Sequence, residues 1–176
     1  MPYTPIFENA PSQPEPSRPL GDDFSVPPED RYFEDYKEGT VYEYGYYVVD
    51  EAEVIEFARR FDPQPFHIDP EAAAATQFGG LIASGWHAGS IYMRLFADHY
   101  LTKVASLASP GIDELHWSLP VRPGDRLKAR TTTLETRVSR SKPDRGLVRT
   151  KGELVNQDGD VPLTLVAVNF VARRPA

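Results

Sequence analysis

The sequence predicts an α+β fold in which one strongly curved antiparallel β-sheet wraps a single buried α-helix. Residues 85 to 93, Gly-Trp-His-Ala-Gly-Ser-Ile-Tyr-Met, contain no Lys, Arg, Asp or Glu, and a helix apolar on every side is a buried one. From Pro110 to the C-terminus, apolar and polar residues alternate with period two, as strands require. A flat sheet cannot cover such a helix, so the sheet must bend around it.

The elements follow in chain order. Eight of the 17 prolines fall within residues 1 to 28, among Ser, Gln and acidic residues, which marks a proline-rich N-terminal extension ahead of one domain over 29 to 176. The extension is either disordered or strapped across a surface, with Ile6, Phe7 and Phe24 as anchors for a strap. Residues 40 to 49 are aromatic and β-branched and read as the first strand. Asp50 and Glu53 make a capping-box-like start, and Val54, Phe57, Ala58 and Phe61 share the face of a short helix ending near Phe61. Pro63 and Pro65 forbid a helix through the next loop, and Pro70 opens a small helix through Ala72 to Ala75.

The buried helix is expected from Gly85 to Leu107, with Arg94/Asp98 and His99/Lys103 marking where it emerges into solvent. An antiparallel meander follows, with strands near 112–119, 125–139, 146–156 and 160–172. Charges shift from even positions (Lys128, Arg130) to odd ones (Glu135, Arg137), which predicts a bulge near Thr132 or Thr133. Val161 to Val171 is apolar on both parities and is expected to be central. A wrapped sheet leaves edge strands open, and pairing them across a two-fold axis makes a homodimer, or an oligomer built from dimers, the expectation.

Composition removes several classes of function. The 176 residues include no Cys, which excludes a disulfide scaffold, a thiolate zinc site and a cysteine nucleophile and fits a cytoplasmic protein. No apolar run is long enough to span a membrane, and the start lacks a secretory signal. With 19 Lys+Arg against 26 Asp+Glu, the net charge of −7 opposes phosphate-backbone binding, so nucleic acid is not an expected partner.

The four histidines are His67, His87, His99 and His116, and His67 has the most suggestive companion. It lies in Phe61-Asp62-Pro63-Gln64-Pro65-Phe66-His67-Ile68-Asp69, five positions after a carboxylate. Fully extended, that spacing holds the two side chains more than about 15 Å apart, so cooperation requires the loop to double back. A carboxylate and an imidazole meeting over one water form a general acid/base pair. Alternatively, Asp62 caps the turn and His67 is an ordinary loop histidine. The second segment is Phe78-Gly79-Gly80-Leu81-Ile82-Ala83-Ser84-Gly85-Trp86-His87. Ser84 is a good N-cap, and the backbone N–H groups after it stand at the positive end of the helix, where they polarise a carbonyl oxygen. The other reading of Gly79, Gly80 and Gly85 is that they only let the chain turn and pack closely.

Together the two segments resemble the MaoC-like dehydratases, the family of (R)-specific enoyl-CoA hydratases with the hotdog fold. That family's motif reads Asp-x-Asn-Pro-x-His-x-Asp, and Asp62-Pro63-Gln64-Pro65-Phe66-His67-Ile68-Asp69 matches it with Gln64 for Asn. Phe78-Gly79 and Ile82-Ala83-Ser84-Gly85 stand where the family has Phe-Gly and an Ile-Ala-His-Gly-like helix start, with Ser84 for His. The resemblance implies a catalytic set of Asp62, His67 and the Gly85 amide. The implied substrate is a trans-2-enoyl thioester of CoA or acyl carrier protein, reversibly hydrated to the (R)-3-hydroxyacyl thioester, with no metal or redox cofactor. Gln64, Ser84, Trp86 and His87 are the candidate substrate-binding residues; Trp86, His87 and Tyr92 at the helix entrance either line an acyl pocket or pack in the core. Arg137, Arg140, Lys142 and Arg145 flank one hairpin turn and meet the CoA phosphates or form a solvated tip.

Two other activities compete. Hotdog thioesterases place a catalytic carboxylate on or beside the long helix, and here no Asp or Glu precedes Asp98 on it. A non-catalytic acyl-thioester-binding subunit is the other, and retention of both Asp62 and His67 argues against it.

Overall fold

The computed structural model describes residues 18–20 and 26–175. One six-stranded antiparallel sheet runs in the order β1-β2-β4-β5-β6-β3, built from β1 (Arg18–Leu20), β2 (Val41–Val48), β3 (Ser106–Trp117), β4 (Arg126–Val138), β5 (Arg145–Val155) and β6 (Leu163–Ala172). Four helices, α1 (Glu51–Phe61), α2 (Pro65–Ile68), α3 (Pro70–Ala74) and α4 (Gly85–Leu95), all lie between β2 and β3 in the chain. Of the expected extension over 1–28, only the backbone of β1, paired with Val41 to Glu43, and residues 26–28 are described; Ile6, Phe7 and Phe24 lie outside the described residues.

The sheet closes around α4. Ala88, Ile91, Tyr92 and Leu95 of that helix are buried in one core with Leu127, Ala129, Leu154 and Leu163 of the sheet. Buried hydroxyls are satisfied in the same layer: Thr131 Oγ1 lies 2.5 Å from the Tyr44 hydroxyl and 2.9 Å from that of Tyr92, and Thr133 Oγ1 lies 2.7 Å from that of Tyr100. α1 starts as expected, with the Asp50 carboxylate accepting from the Glu53 amide.

The register of β2 against β4 shifts between Tyr44 and Tyr47, around Gly45 at φ +72°. A Cβ there would lie 2.6 Å from Leu95 Cδ2 of α4. Gly45→Ala therefore meets a left-handed backbone and an overpacked helix contact, and it should cost roughly 2–5 kcal/mol, read as a lower urea midpoint at unchanged slope.

Four expectations are corrected. The buried helix does not reach Leu107: α4 ends at Leu95, a π turn covers Phe96–Tyr100, and β3 begins at Ser106. The reason is tertiary. The buried Arg31 guanidinium donates to the carbonyls of His99 (3.0 Å) and Tyr100 (2.6 Å), which a continuing helix would need for its own next turn. The amide of Lys103 donates instead to Pro28 O at 2.9 Å.

β3 starts earlier than predicted because its first half is irregular, with register shifts against β6 and Ala108 at φ 105°, so the period-two pattern is lost there. The meander is also incomplete: β4, β5 and β6 are consecutive neighbours, but β3 crosses over to pair with β6. Finally, the loop after Asp62 does contain one helical turn, α2, because Pro65 occupies its first position, where a missing N–H costs nothing. The bulge expected near Thr132 or Thr133 lies between Thr133 and Glu135, and β6 is internal to the sheet.

Candidate active site

The carboxylate and the imidazole meet because the chain after α1 folds back at once. Asp62 closes α1, its amide donating to Ala58 O at 2.8 Å, and the amide of Gln64 returns to Asp62 O at 2.8 Å. Pro65 then opens α2, which turns His67 back toward the end of α1. His67 Nε2 stands 3.3 Å from Asp62 Oδ2, with the imidazole buried and the carboxylate 20% exposed. His67 Nδ1 lies 2.8 Å from Ile82 O. A carbonyl can only accept, so Nδ1 carries the proton and Nε2 of the neutral ring presents its lone pair. A lone pair and a carboxylate oxygen facing each other need a proton donor, and a water molecule or the ring's own second proton supplies it.

Asp62 is kept ionised by its donors. The Ser84 hydroxyl donates to Oδ2 at 2.7 Å, and the Gln64 amide group donates to Oδ1 at 2.7 Å. The Ser84 hydrogen bond is the largest cause holding this carboxyl below the usual aspartate range; the Gln64 hydrogen bond and the adjacent His67 add to it, against a smaller opposing effect of burial. A carboxyl with a depressed folded-state pKa stabilises the fold above its ordinary pKa and loses that contribution as pH falls through the folded value. In Ser84→Ala the Asp62 titration should therefore move upward, as followed by carboxyl carbon NMR. The lost N-cap of α4 should cost about 1 kcal/mol.

Ser84 also begins α4, its Oγ accepting from the Trp86 amide at 3.3 Å. As the first helical residue, Gly85 has an amide with no intrahelical acceptor, at the positive end of the helix dipole. Asp62, His67 and Gly85 border one cleft of about 480 Å³, closed on its other side by Trp117, Leu119 and Val121. The Trp117 indole N–H donates to Gly85 O at 2.9 Å, and its ring lies so close that a Cβ on Gly85 would fall 2.6 Å from Trp117 Cε2.

Of the candidate substrate-binding residues, Gln64 and Trp86 border this cleft. Ser84 is fully buried and acts on Asp62 rather than facing the cleft. His87 departs from expectation: it is fully buried on the face of α4 turned to α1, stacked on Phe57 at 4.7 Å, with Nε2 3.7 Å from Glu53 Oε1, and it does not border this cleft. Tyr92 packs in the core. Trp117 and the Ile82 carbonyl were not singled out from the sequence, because nothing local ties residue 117 to a helix that starts 32 positions earlier.

The basic hairpin group lies at the wrong end for a thioester in this cleft. Arg145 pairs with Ala172 at one end of β6 while Trp117 pairs with Leu163 at the other, about 30 Å away along the strand. Arg145 and Arg137 are occupied by Asp144 and Glu135. α4 carries no acidic residue, and Asp98 beyond it is held by Arg94 at 2.7 Å, so no carboxylate on the helix faces the cleft. Among the described residues, no three His, Asp or Glu side chains cluster to hold a metal ion, and no helix is long and apolar enough to cross a membrane.

Comparison with known proteins shows the family and the fold. The MaoC like domain family matches residues 33–155. A solved MaoC-like dehydratase from Rhodospirillum rubrum superposes with a TM-score of 0.77 at 40% identity, covering 83% of this chain and 99% of that one. An (R)-hydratase from Pseudomonas aeruginosa superposes at 0.67 with 26% identity, covering 81% and 86%. A 3-hydroxyacyl-thioester dehydratase of Mycobacterium tuberculosis is 38% identical over 69 residues, 39% of this chain and 46% of that protein. The chain spans about half the length of the curated relatives it matches.

Proposed function

The chain belongs to the MaoC-like dehydratase family, with its hotdog fold, and from that premise we propose that it reversibly hydrates a trans-2-enoyl thioester of CoA or acyl carrier protein to the (R)-3-hydroxyacyl thioester. The observation that carries this reading is the 3.3 Å approach of His67 Nε2 to Asp62 Oδ2 in a cleft bordered by Gly85 at the start of α4. In this reading the nucleophile is a water molecule held beside the carboxylate and the imidazole, within reach of both. As its oxygen bonds to the β-carbon, the pair takes one of its protons, the Cα=Cβ π electrons shift to join the α-carbon to the carbonyl carbon, and the carbonyl π electrons move onto the thioester oxygen. The Gly85 amide and the helix dipole stabilise that oxygen as charge develops there. Return of a proton from the pair to the α-carbon completes the addition, and the two groups titrate as one unit throughout. Gln64 and Ser84 keep Asp62 ionised and oriented, and Trp86 borders the acyl side of the cleft.

We read residues 29–176 as the domain that does this, with 1–28 as its extension, and a homodimer as its form. Support for the dimer is that β3 is an edge strand whose Leu107, Ile112 and Trp117 are exposed. The deciding experiment incubates the purified chain with crotonyl-CoA. Loss of enoyl absorbance without free thiol, giving the (R)-hydroxy product, is expected; release of thiol from unhydrated substrate overturns the reading in favour of a thioesterase.

A further inference from the structure

The candidate catalytic groups stand on two helices: Asp62 closes α1 and Gly85 opens α4. The Ser84 hydroxyl, donating to Asp62 Oδ2 at 2.7 Å, ties these two ends together beside the cleft. A second polar link joins the same helices deeper in the molecule. The largely buried Glu53 of α1 brings Oε1 to 3.7 Å from Nε2 of His87, a fully buried imidazole in the first turn of α4 that also stacks on Phe57 of α1 at 4.7 Å. Oε2 of Glu53 accepts from the Tyr47 hydroxyl of β2 at 2.5 Å. Burial first, and then that hydrogen bond, push the Tyr47 hydroxyl above the usual tyrosine range, so it stays protonated and donates. Among the described residues, Glu53 Oε1 and both ring nitrogens of His87 have no hydrogen-bond partner.

Such a cluster is a poor stabiliser, because buried polar atoms without full partners cost free energy and apolar side chains of similar volume commonly fold as well or better. We propose that Tyr47, Glu53 and His87 are positioning residues for the hydration, a buried polar tie that sets how α4 lies against α1 and so holds Ser84 and the Gly85 amide at their working distance from Asp62. The inference rests on the enoyl-thioester reading above. None of the three borders the cleft, so the tie acts through the two helices and not on substrate. Its leverage is short, since Ser84, Gly85 and His87 share the first turn of α4. Tyr47 fixes the other end of the tie to the sheet, where it pairs with Leu127 of β4. A polar contact is directional and is lost when one helix slides or rotates on the other, whereas an apolar contact at the same place tolerates such movement. Reacting groups need placement within about 0.5 Å, which is the precision a directional tie supplies.

The test compares the purified full chain as wild type, as Glu53→Gln and as the apolar triple variant Tyr47→Phe/Glu53→Met/His87→Leu. Each is measured for kcat and KM on crotonyl-CoA, for its urea midpoint and for the Asp62 titration by carboxyl carbon NMR. The triple variant should unfold at a midpoint no lower than wild type, yet turn over about 10- to 100-fold more slowly with little change in KM. Its Asp62 should titrate higher, in the same direction as in Ser84→Ala, because the Ser84 hydroxyl no longer stays in place. Glu53→Gln should keep most of kcat, since the amide oxygen accepts from Tyr47 while its N–H reaches His87. Wild-type kcat in the triple variant overturns the tie, and so does a loss of kcat with the Asp62 titration unmoved. If the triple variant fails to fold, His87→Leu alone decides, and an unchanged kcat or an unmoved Asp62 titration there overturns the tie. A wild-type chain inactive on every enoyl thioester instead overturns the hydratase reading, while the Asp62 titration still reports the tie.

Discussion

Asp62→Asn and His67→Ala each lower turnover of an enoyl-CoA by about 10²- to 10⁴-fold, with circular dichroism close to wild type. The size follows from the geometry. Asparagine keeps the shape of the aspartate but cannot take a proton, and it leaves one oxygen for the two donors, Ser84 and Gln64, which here bond different carboxylate oxygens. Alanine at 67 removes the lone pair at Nε2 and leaves Ile82 O without its donor, so some loss of stability accompanies the loss of rate. The double variant should be scarcely slower than either single one, because groups acting as a unit are strongly non-additive. Wild-type-like rates in either single variant would end the assignment of this pair.

Gly85→Ala has the second large effect, and it acts through Trp117. The added methyl would lie 2.6 Å from Cε2 and 2.7 Å from Nε1 of that indole, so either the ring or the start of α4 must shift. The amide proposed to face the developing oxyanion belongs to the same residue. A misplacement on the order of 1 Å at a reacting centre costs about 10²-fold, so kcat should fall by that factor with a smaller change in KM. Stability should drop by about 1–3 kcal/mol from overpacking. Pairing Gly85→Ala with Trp117→Leu restores space and should recover part of the stability, because the three atoms nearest the added methyl all belong to the indole. Unchanged kcat in Gly85→Ala would show that the packing of Trp117 does not set the position of the amide.

Much of the fold was legible locally. The charge-free start of α4, the Asp50/Glu53 cap of α1 and the bulge in β4 all rest on residues a few positions apart, and period and capping act over that range. The proximity of Asp62 and His67 was legible as a motif. Its working geometry was not, since the His67 tautomer is set by Ile82 O and the charge on Asp62 by Ser84, which are 15 and 22 positions away. His87 shows the converse. It adjoins the motif in sequence, yet successive helix positions point about 100° apart, and this one turns to Phe57 and Glu53 of α1.

What the sequence alone determined about this protein is the kind of most of its elements and which residues are candidates for its site, because hydrophobic period, capping and proline placement are short-range effects. Only the tertiary structure decided where α4 stops, which strand lies beside β6, and that Trp117 lines the cleft beside Gly85. Each depends on a contact between distant segments: Arg31 with the carbonyls of His99 and Tyr100, β3 with β6, and Trp117 with Gly85. Such contacts form only once the chain is compact, when a buried donor must find whichever acceptor the packing brings within reach.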